Sequence, residues 1–286
     1  MGDGRIAEFE AERPWLLGIA YRMLGEVQEA EDTVQDAYLR WTAADRTDID
    51  SPRAWLTKAV TNLCLNRLDS ARARRETYVG PWLPEPVLAG PVLGPLETVE
   101  QRDTVSVAML TLMERLTPAE RAVFVLREAF GYPHHEIAEM LDVTDAASRQ
   151  LHTRARRHLS ARDRHRAADP GATRKLVERF LEAAFQGDLA GLTELLAEDV
   201  VAYGDGGGKA TAGRRPIVGP QKVARLCLGL AGNQAAGVEM TIEDVNGGVG
   251  LVGRIDGVVL GIAAVEVSDG LITGLYNVVN PDKLPN

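Results

Sequence analysis

The sequence predicts a multidomain protein with two all-α helical domains followed by an α+β domain. Helical periodicity dominates the first 165 residues, a proline-rich stretch interrupts it, and segments typical of β-strands follow residue 171. A chain of 286 residues is long enough for two or three domains that each bury a core. We place the domains at residues 1–76, 102–167 and 171–286, with a linker at 77–101.

The first domain is predicted to contain three helices between residue 5 and about residue 75. In "EAEDTVQDAYLRW" the apolar positions recur at helical spacing, at Ala30, Val34, Ala37 and Trp41. This leaves four polar residues on the outer face, Glu31, Asp32, Gln35 and Asp36. Ser51-Pro52 then begins the third helix, with Ser51 as the cap and Pro52 in the first turn.

Residues 77–101 are predicted to form a linker, because prolines stand at positions 81, 84, 86, 91 and 95. The stretch "WLPEPVLAGPVL" is nevertheless apolar, and in a free linker its large side chains would all face water. We therefore expect another part of the protein to cover it.

The second helical domain contains a predicted helix-turn-helix in "HHEIAEMLDVTDAASRQLHTRARRHL". Asp142-Val143 forms the turn, and Thr144 caps the second helix. The inner face of that helix is predicted to hold Ala147, Leu151, Ala155 and Leu159. The outer face is predicted to hold Ser148, Arg149, His152, Thr153 and Arg156. Polar and basic side chains at the start of such a helix suit reading of the DNA major groove.

The last domain is predicted to combine helices over 172–196 and 216–230 with four strands: "GVEMTIEDV", "GLVGRI", "GVVLGIAAVEV" and "LITGLYNVV".

Two glycine-rich segments resemble nucleotide-binding motifs. "YGDGGGKA" has Tyr203 and Ala210 where a P-loop needs glycine and a hydroxyl residue, and "GVGLVG" precedes a strand rather than a helix. We therefore predict no nucleotide site and no cofactor.

Charge is distributed unevenly along a chain whose net charge is −9. Seven arginines and one acid lie between Arg149 and Arg166, and "RLDSARARR" at 67–75 is also basic. Five acids and no base lie between Glu26 and Asp36. This segregation indicates two contacts with polyanions and a separate contact with a protein.

Composition favours a cytoplasmic protein. The chain has no apolar run near 18 residues and no basic start followed by an apolar segment, so we expect neither a membrane span nor an export signal. Cys64 and Cys227 lack metal-ligand spacing, and we expect them to be reduced and structural. No metal site is predicted.

These motifs resemble those of the extracytoplasmic-function (ECF) sigma factors of the sigma-70 family. "EAEDTVQDAYLRW" and "SPRAWLTKAVTNLCLNRLDSARARR" are similar to the sigma-2 domain, and "LTPAERAVFVLREAFGYPHHEIAEMLDVTDAASRQLHTRARRHL" is similar to the sigma-4 domain. The remainder resembles a SnoaL-like cone, a fold related to nuclear transport factor 2. "WLPEP" (82–86), "DGGGK" (205–209) and "NPDKL" (280–284) resemble signatures of the subgroup that carries this fused extension, in which the extension modulates the sigma factor in cis.

The resemblance implies roles by position in the helical domains. Core RNA polymerase would bind through its β′ clamp helices and its β subunit, with the clamp helices on Glu31, Asp32, Gln35 and Asp36. The promoter −10 element would contact Arg53, Lys58, Asn62 and Arg67. The −35 element would contact Arg149, Gln150, Thr153 and Arg156. Trp55 is either a stacking platform for a base or a core residue.

The chain also departs from the commoner ECF pattern. Asp142 stands where glycine is usual, and Ser148 and His152 stand where apolar residues are usual. Aspartate can adopt the left-handed conformation that such a turn needs, so the helix-turn-helix is expected to form.

For the fused extension, the resemblance implies regulatory interdomain contacts in the three signatures. These contacts would involve Trp82, Leu83, Pro84, Asp205, Gly206, Gly207, Gly208, Lys209, Asn280, Pro281 and Asp282. We expect "DGGGK" to be a tight turn that presents Asp205 and Lys209 to the linker or to the sigma-2 domain. An ordinary hairpin turn is the alternative.

Energetics favour a sigma factor over a stand-alone regulator. Opening about ten base-pair steps at roughly 1.4 kcal/mol each costs about 14 kcal/mol, whereas one good base contact returns about 1–3 kcal/mol. Core polymerase must therefore supply most of the phosphate affinity, which allows the free factor to be acidic.

Two alternatives remain. One is a stand-alone helix-turn-helix regulator with a ligand-sensing domain. The other is a cyclase-like or isomerase-like enzyme with a DNA-binding appendage. All five histidines precede residue 170, which argues against acid-base catalysis in the cone, although Tyr203, Asp205, Asp256 and Glu266 remain as candidate pocket groups. The sequence leaves open a small ligand in the cone and whether the cone activates or inhibits.

Overall fold

The computed structural model describes residues 2–45, 49–88, 90–159, 169–232 and 237–285, with the backbone alone at 2–4, 69, 71–74 and 76. Part of both predicted basic clusters, Arg72, Arg74, Arg162, Arg164 and Arg166, therefore lies outside the described side chains. The chain divides into two compact units. Unit 1 comprises residues 1–77, 90–105 and 112–161, and unit 2 comprises residues 78–89, 106–111 and 162–286.

Unit 1 is helical, as predicted. Its helices are α1 (Gly2–Leu24), α2 (Val27–Ala43), α3 (Pro52–Glu76), α4 (Val99–Val105), the end of α5 (Val107–Met113), α6 (Pro118–Glu128), α7 (His134–Leu141) and α8 (Asp145–Leu159). The predicted cap of α3 is present, because the Ser51 hydroxyl accepts a hydrogen bond from the Ala54 amide at 3.3 Å. Trp41 is buried on the inner face of α2, as its helical spacing predicts.

A buried arginine fastens residues 90–105 to α1. The Arg22 guanidinium donates to the carbonyl oxygens of Pro95 at 3.1 Å and Gln101 at 3.0 Å, and to that of Leu93. Burial lowers the pKa of Arg22 to about 10. The backbones of Gly18 and Gly94 also meet, since a Cβ added to Gly18 would lie 2.6 Å from the Gly94 Cα. These contacts cover Val92 and Leu93, so the expectation of a covered linker is confirmed for this part.

The helix-turn-helix forms between α7 and α8. Asp142 adopts the left-handed conformation at φ 54° and ψ 43°, so the expected substitute for glycine is confirmed. The Thr144 hydroxyl accepts a hydrogen bond from the Ala147 amide at 3.1 Å, which confirms the predicted cap. A capping box between Thr117 and Glu120 begins α6, which packs against α8.

Unit 2 contains the start of α5 and, among its described residues, three further helices and a six-stranded sheet, as expected for an α+β cone. The elements are α9 (Pro170–Gln186), α10 (Leu189–Glu194), β1 (Leu196–Asp205), β2 (Ile217–Val218), α11 (Pro220–Gly232), β3 (Glu239–Val245), β4 (Gly248–Ile255), β5 (Val258–Ser268) and β6 (Leu271–Val278). The strand order is β2-β1-β6-β5-β4-β3, and β1 runs parallel to β6 while all other pairs are antiparallel. "GVGLVG" lies within β4, and a turn and the strand β5 follow it rather than a helix.

The two faces of this sheet carry different cores. One core packs against α9, α10 and α11 and includes Phe180, Leu192, Val223 and Leu275. The other includes Val252, Ile262, Tyr276 and Val278, and it also contains Leu83 of the linker with Val107 and Ala108 of α5. Because side chains alternate along a strand, Leu275 and Tyr276 point to opposite faces. The proline-rich residues 78–89 therefore complete the core of unit 2. No helix in the described ranges is long and apolar enough to span a membrane.

Candidate functional site

A buried carboxylate joins the linker to the end of β1. Asp205 is 0% exposed. Its carboxylate accepts hydrogen bonds from the Leu83 amide at 2.9 Å, the Tyr78 hydroxyl at 2.6 Å and the Gly207 amide at 3.1 Å, and pairs with the Lys283 ammonium at 2.8 Å. Four donors around one buried carboxylate compensate the loss of its hydration.

Lys283 is the second buried charge of this cluster. Its ammonium also donates to the Leu83 carbonyl oxygen at 2.6 Å. The nitrogen lies 4.4 Å from the ring centroid of Trp82 and 4.9 Å from that of Tyr78, which places the cation against two aromatic faces. We call the group formed by Tyr78, Trp82, Leu83, Asp205 and Lys283 the Asp205 clamp. It joins all three signature segments.

Asn280 positions Lys283 within the clamp. Its side-chain amide donates to the Tyr78 hydroxyl at 2.8 Å, and its carbonyl oxygen accepts from the Asp282 amide at 3.1 Å. Pro281 then begins a short 3₁₀ helix, Pro281–Lys283, which turns Lys283 inward. The backbone amide of Asn280 also donates to the Asp205 carbonyl oxygen at 3.0 Å.

The glycines after Asp205 form the predicted tight turn. The amides of Lys209 and Ala210 donate to the Gly206 carbonyl oxygen at 2.9 and 3.0 Å, and Gly207 and Gly208 have φ of 59° and 73°. A Cβ on Gly207 would lie 2.4 Å from the Asn280 amide nitrogen, so this position requires glycine.

Asp205 faces the linker, but Lys209 does not. The Lys209 ammonium pairs with Asp282 at 2.5 Å, and both side chains are more than half exposed. The turn therefore presents one buried acid to the linker and one exposed base to the third signature. Pro84 is buried beside Leu83.

Sequence reasoning missed three residues of this site: Tyr78, Lys283 and Asn246. The side-chain oxygen of Asn246 accepts a hydrogen bond from the Val87 amide at 2.9 Å, and the backbone amide of Asn246 donates to the Val87 carbonyl oxygen at 2.8 Å. Lys283 lies in the segment "NPDKL", but no feature of the sequence indicates that its ammonium is buried. Asn246-Gly247 is typical of a hairpin turn, and such a turn gives no sign that the asparagine side chain binds another segment.

The predicted −35 residues form one exposed face of α8. Arg149, Gln150, Thr153 and Arg156 are all exposed. Arg149 makes a bidentate pair with Asp145 at 3.0 and 3.1 Å, and the Thr153 hydroxyl donates to the Arg149 carbonyl oxygen at 2.9 Å. A base edge would have to replace Asp145 as the partner of Arg149.

The predicted outer positions of Ser148 and His152 are wrong. Ser148 is 0% exposed, and its hydroxyl hydrogen-bonds the His134 ring nitrogen at 3.0 Å. His152 is half-buried and lies 2.6 Å from the Glu128 carboxylate, and this hydrogen bond lowers the pKa of Glu128. Helices α6 and α7 cover more of α8 than a narrow apolar stripe implies, and polar pairs replace the apolar contacts there.

Three of the four predicted −10 residues are held by other residues of unit 1. The Arg53 guanidinium lies 3.6 Å from the Trp15 ring centroid and 3.2 Å from Glu12. Arg67 pairs with Glu29 at 3.0 Å and Asp36 at 2.7 Å.

The third, Lys58, joins α3 to the helix-turn-helix. Its ammonium donates to the Glu139 carbonyl oxygen at 2.8 Å and to Asp142 at 3.1 Å. Nearby, the hydroxyls of Thr57 and Tyr132 are 3.1 Å apart. Asn62 is half-buried, and Trp55 is half-buried with its ring 5.5 Å from that of Trp41. Both interpretations of Trp55 therefore stay open.

The predicted polymerase-binding residues lie on the outer face of α2. Glu31, Asp32 and Gln35 are exposed, while Asp36 is half-buried against Arg67. Leu39 lies further along the helix and is 57% exposed. An acidic face beside an exposed leucine is suited to a basic protein surface with an apolar patch.

Comparison with known proteins follows the same division of the chain. Residues 9–74 match the Sigma-70 region 2 family, and residues 106–159 match the Sigma-70 region 4 family. The chain is 41% identical to the ECF RNA polymerase sigma factor SigJ of Mycobacterium tuberculosis, with 97% of this chain and 92% of that protein covered. It is 32% identical to the probable ECF sigma factor SigI of the same species, with 99% and 95% covered. The crystal structure of SigJ matches with a TM-score of 0.75 at 38% identity, covering 97% of both chains.

Proposed function

This chain belongs to the ECF RNA polymerase sigma factors, and from that premise we propose that it directs core polymerase to particular promoters under the control of its own C-terminal unit. It is not an enzyme. The sigma function is supported by both sigma-70 regions, which contain the exposed acidic face of α2 and the exposed basic face of α8. Control in cis is supported by one observation above all, the Asp205 clamp. Such a protein works in the cytoplasm, where core polymerase acts.

The outer face of α2 is the proposed docking surface for the β′ clamp helices, with further contacts to the β subunit. Glu31, Asp32 and Gln35 are free of the core of unit 1, so a partner can reach them without unfolding the helix. Charge complementarity would set orientation and association rate, and the exposed Leu39 would contribute apolar area.

DNA contacts are proposed for α3 and α8. Arg149, Gln150, Thr153 and Arg156 would read the −35 element, and Arg53, Lys58, Asn62 and Arg67 would meet the −10 element. Binding at −10 requires Lys58 to leave Asp142. These side chains are 43% and 79% exposed, so the pair contributes less than about 1 kcal/mol and can be exchanged for a phosphate at little cost.

The clamp controls the chain that connects the two DNA-binding regions. The region 2 match ends at residue 74 and the region 4 match begins at residue 106. Within unit 2, residues 78–89 are bound to the sheet through the clamp and through Asn246, and Val107 and Ala108 are buried in the same core as Leu83. We propose that these contacts fix the path of the chain between regions 2 and 4. They would thereby determine whether the two regions can bind the −10 and −35 elements at the same time.

The proposed domain limits remain 1–76, 102–167 and 171–286, with the linker at 77–101, and the sigma-70 matches at 9–74 and 106–159 support the first two domains. Residues 106–111 nevertheless group with the last domain. Within the linker, residues 78–89 also fold with the last domain.

Run-off transcription with bacterial core enzyme tests the proposal. The full-length protein should bind core polymerase and start transcription, whereas a stand-alone regulator would bind its operator without core enzyme. Asp205→Asn and Lys283→Met should change transcript yield in the same direction, since each breaks the clamp. Asp256→Asn, in the exposed β4–β5 turn, is the matched control and should match wild type. Wild-type yield in both clamp variants would rule out control through the clamp, and failure to bind core enzyme would rule out the sigma function itself.

A further inference from the structure

The C-terminal unit contains a second feature that the clamp does not use, a cavity of about 480 Å³ between the sheet and helices α9 and α11. This volume lies in the range of sites for drug-sized ligands. Ala184, Leu251 and Leu275 line its buried part. Phe185, Leu230 and Leu260 line its more open part and are 55, 50 and 45% exposed. Large apolar side chains that remain exposed around a concave site indicate a ligand with an apolar body.

Few polar side chains line the cavity, and besides Arg215, Asn277 and Cys227 they are Tyr203 and Thr211. Among the described residues that line it there is no Asp, Glu or His, and Arg215 is the single lysine or arginine. Arg215 is exposed and forms no ion pair with any residue in the described part of the chain. Cys227 also lines the cavity, and burial raises its pKa to about 12, so it brings no negative charge. The cavity therefore has a cation without a counter-ion.

Asn277 supplies an uncharged polar group. It is half-buried on β6 and lines the cavity, and its side chain forms no hydrogen bond with the residues that the structure describes. A half-buried amide without a protein partner can bind a polar atom of a ligand. The described lining contains no carboxylate or imidazole, the usual groups of general acid-base catalysis, so the site is better suited to binding than to proton transfer.

We propose that this cavity binds a small amphiphilic monoanion, with an apolar body against the sheet and helices and a carboxylate-like head near Arg215. The planar guanidinium of an arginine can donate two parallel hydrogen bonds to a carboxylate, and this would orient the head of the ligand. The apolar lining excludes a polyanion such as a nucleotide. This inference goes beyond the proposed sigma function and does not depend on it.

Displacement of 8-anilinonaphthalene-1-sulfonate, itself an apolar monoanion, tests the site on the free full-length protein. The probe should gain fluorescence on binding, and decanoate should displace it at lower concentration than decan-1-ol, which has the same chain without the charge. Arg215→Gln should weaken decanoate roughly tenfold and leave decan-1-ol unchanged. Arg214→Gln is the matched control, because the neighbouring Arg214 does not line the cavity.

Ala263→Phe fills the cavity from β5 and should abolish displacement by both compounds, with the melting temperature reporting whether the variant folds. If Ala263→Phe does not fold, the comparison of Arg215→Gln with Arg214→Gln alone tests the proposal. If decanoate and decan-1-ol displace the probe equally well, or if the Arg214 and Arg215 variants lose the same affinity for decanoate, the proposal that the ligand is an anion would be overturned. No displacement by either compound would overturn the site. The sigma function would be untouched by either result, because no polymerase is present.

Discussion

The Asp205 carboxylate can be buried at low energetic cost only while its hydrogen-bond donors remain around it. In Asp205→Asn the carboxylate is lost, and the buried ammonium of Lys283 loses its ion pair with that carboxylate. Removing one partner of a buried pair costs about 3–5 kcal/mol, so we expect the free energy of unfolding of unit 2 to fall by about 3 kcal/mol in urea titrations. Asp256→Asn changes the same chemical group at an exposed left-handed turn and should alter it by less than about 0.5 kcal/mol. Equal losses in the two variants would contradict this assignment.

The residues of the clamp show what sequence can and cannot reveal about a site. Trp82, Leu83 and Asp205 were predicted because they lie in segments that resemble family signatures. Lys283 and Tyr78 were missed, because lysine and tyrosine are usually at least partly exposed and only the folded linker buries them. Ser148 and His152 were misplaced for a related reason. A helical wheel gives the direction of a side chain but not how far the neighbouring helices extend around it.

Glu114 gives unit 1 a pH-dependent contribution to stability. Burial raises the pKa of this carboxyl, but the charges and hydrogen bonds of Arg121 and Arg75 outweigh burial and hold the pKa below its ordinary value of 4.5. A pKa that is lowered in the folded state stabilises the protein fully above about pH 4.5, and this contribution is lost as the pH falls through the folded value.

Glu114→Gln should therefore cost about 2 kcal/mol at pH 7, a value reduced from that of a fully buried pair because the side chain is 25% exposed. The cost should shrink as the pH falls below about 4.5, where the wild-type carboxyl also becomes neutral. Urea unfolding from pH 7 to pH 3 measures this difference. Glu139→Gln, at an exposed position of α7, should show no such trend. A cost for Glu114→Gln that is independent of pH would exclude the ionic explanation.

At the scale of elements, α8 is expected to carry much of the −35 specificity. Arg149→Ala removes a guanidinium that can form two hydrogen bonds with a guanine edge, a contact worth about 1–3 kcal/mol. Transcript yield from a promoter that the holoenzyme uses should fall roughly tenfold at sub-saturating holoenzyme. Arg115→Ala, an exposed arginine outside α8, should leave the yield within about twofold. Similar losses in both variants would show that general charge rather than base reading is involved.

Elements differed in how well their sequences predicted them. Helices α2, α3, α7 and α8 follow from apolar spacing and caps, and the strands from β3 to β6 follow from alternation between glycine turns. The strands β1 and β2 were missed, and β2 (Ile217–Val218) lies inside the helix predicted over 216–230, which begins only at Pro220. Residues Glu198 and Asp199 of β1 lie at a register shift, and its partner β6 lies about 70 residues further along the chain. A parallel partner so distant leaves no local pattern in the sequence.

At the scale of the whole molecule, the chain order and the folded units do not coincide. Residues 78–89 and 106–111 precede or lie within the region 4 segment but fold with the C-terminal unit. Cutting the chain near residue 168 would therefore remove the cover from Leu83, Val87 and Val107, which are buried in the intact protein. A truncated protein would combine loss of control with newly exposed apolar surface. Point variants of the clamp separate these two effects.

The net charge of −9 limits the affinity of the free protein for DNA. Affinity for phosphates comes from released counter-ions and grows with the number of positive contacts. The described basic face of α8 is small, and α3 uses Arg53, Lys58 and Arg67 in contacts within unit 1. At about 150 mM salt we therefore expect no specific binding of promoter DNA by the free protein in fluorescence anisotropy, and specific binding once core polymerase is added. Core polymerase alone, and holoenzyme with a scrambled promoter, are the controls. Submicromolar, sequence-specific binding by the free protein would instead favour a stand-alone regulator, because polymerase would then not be needed to supply the phosphate contacts.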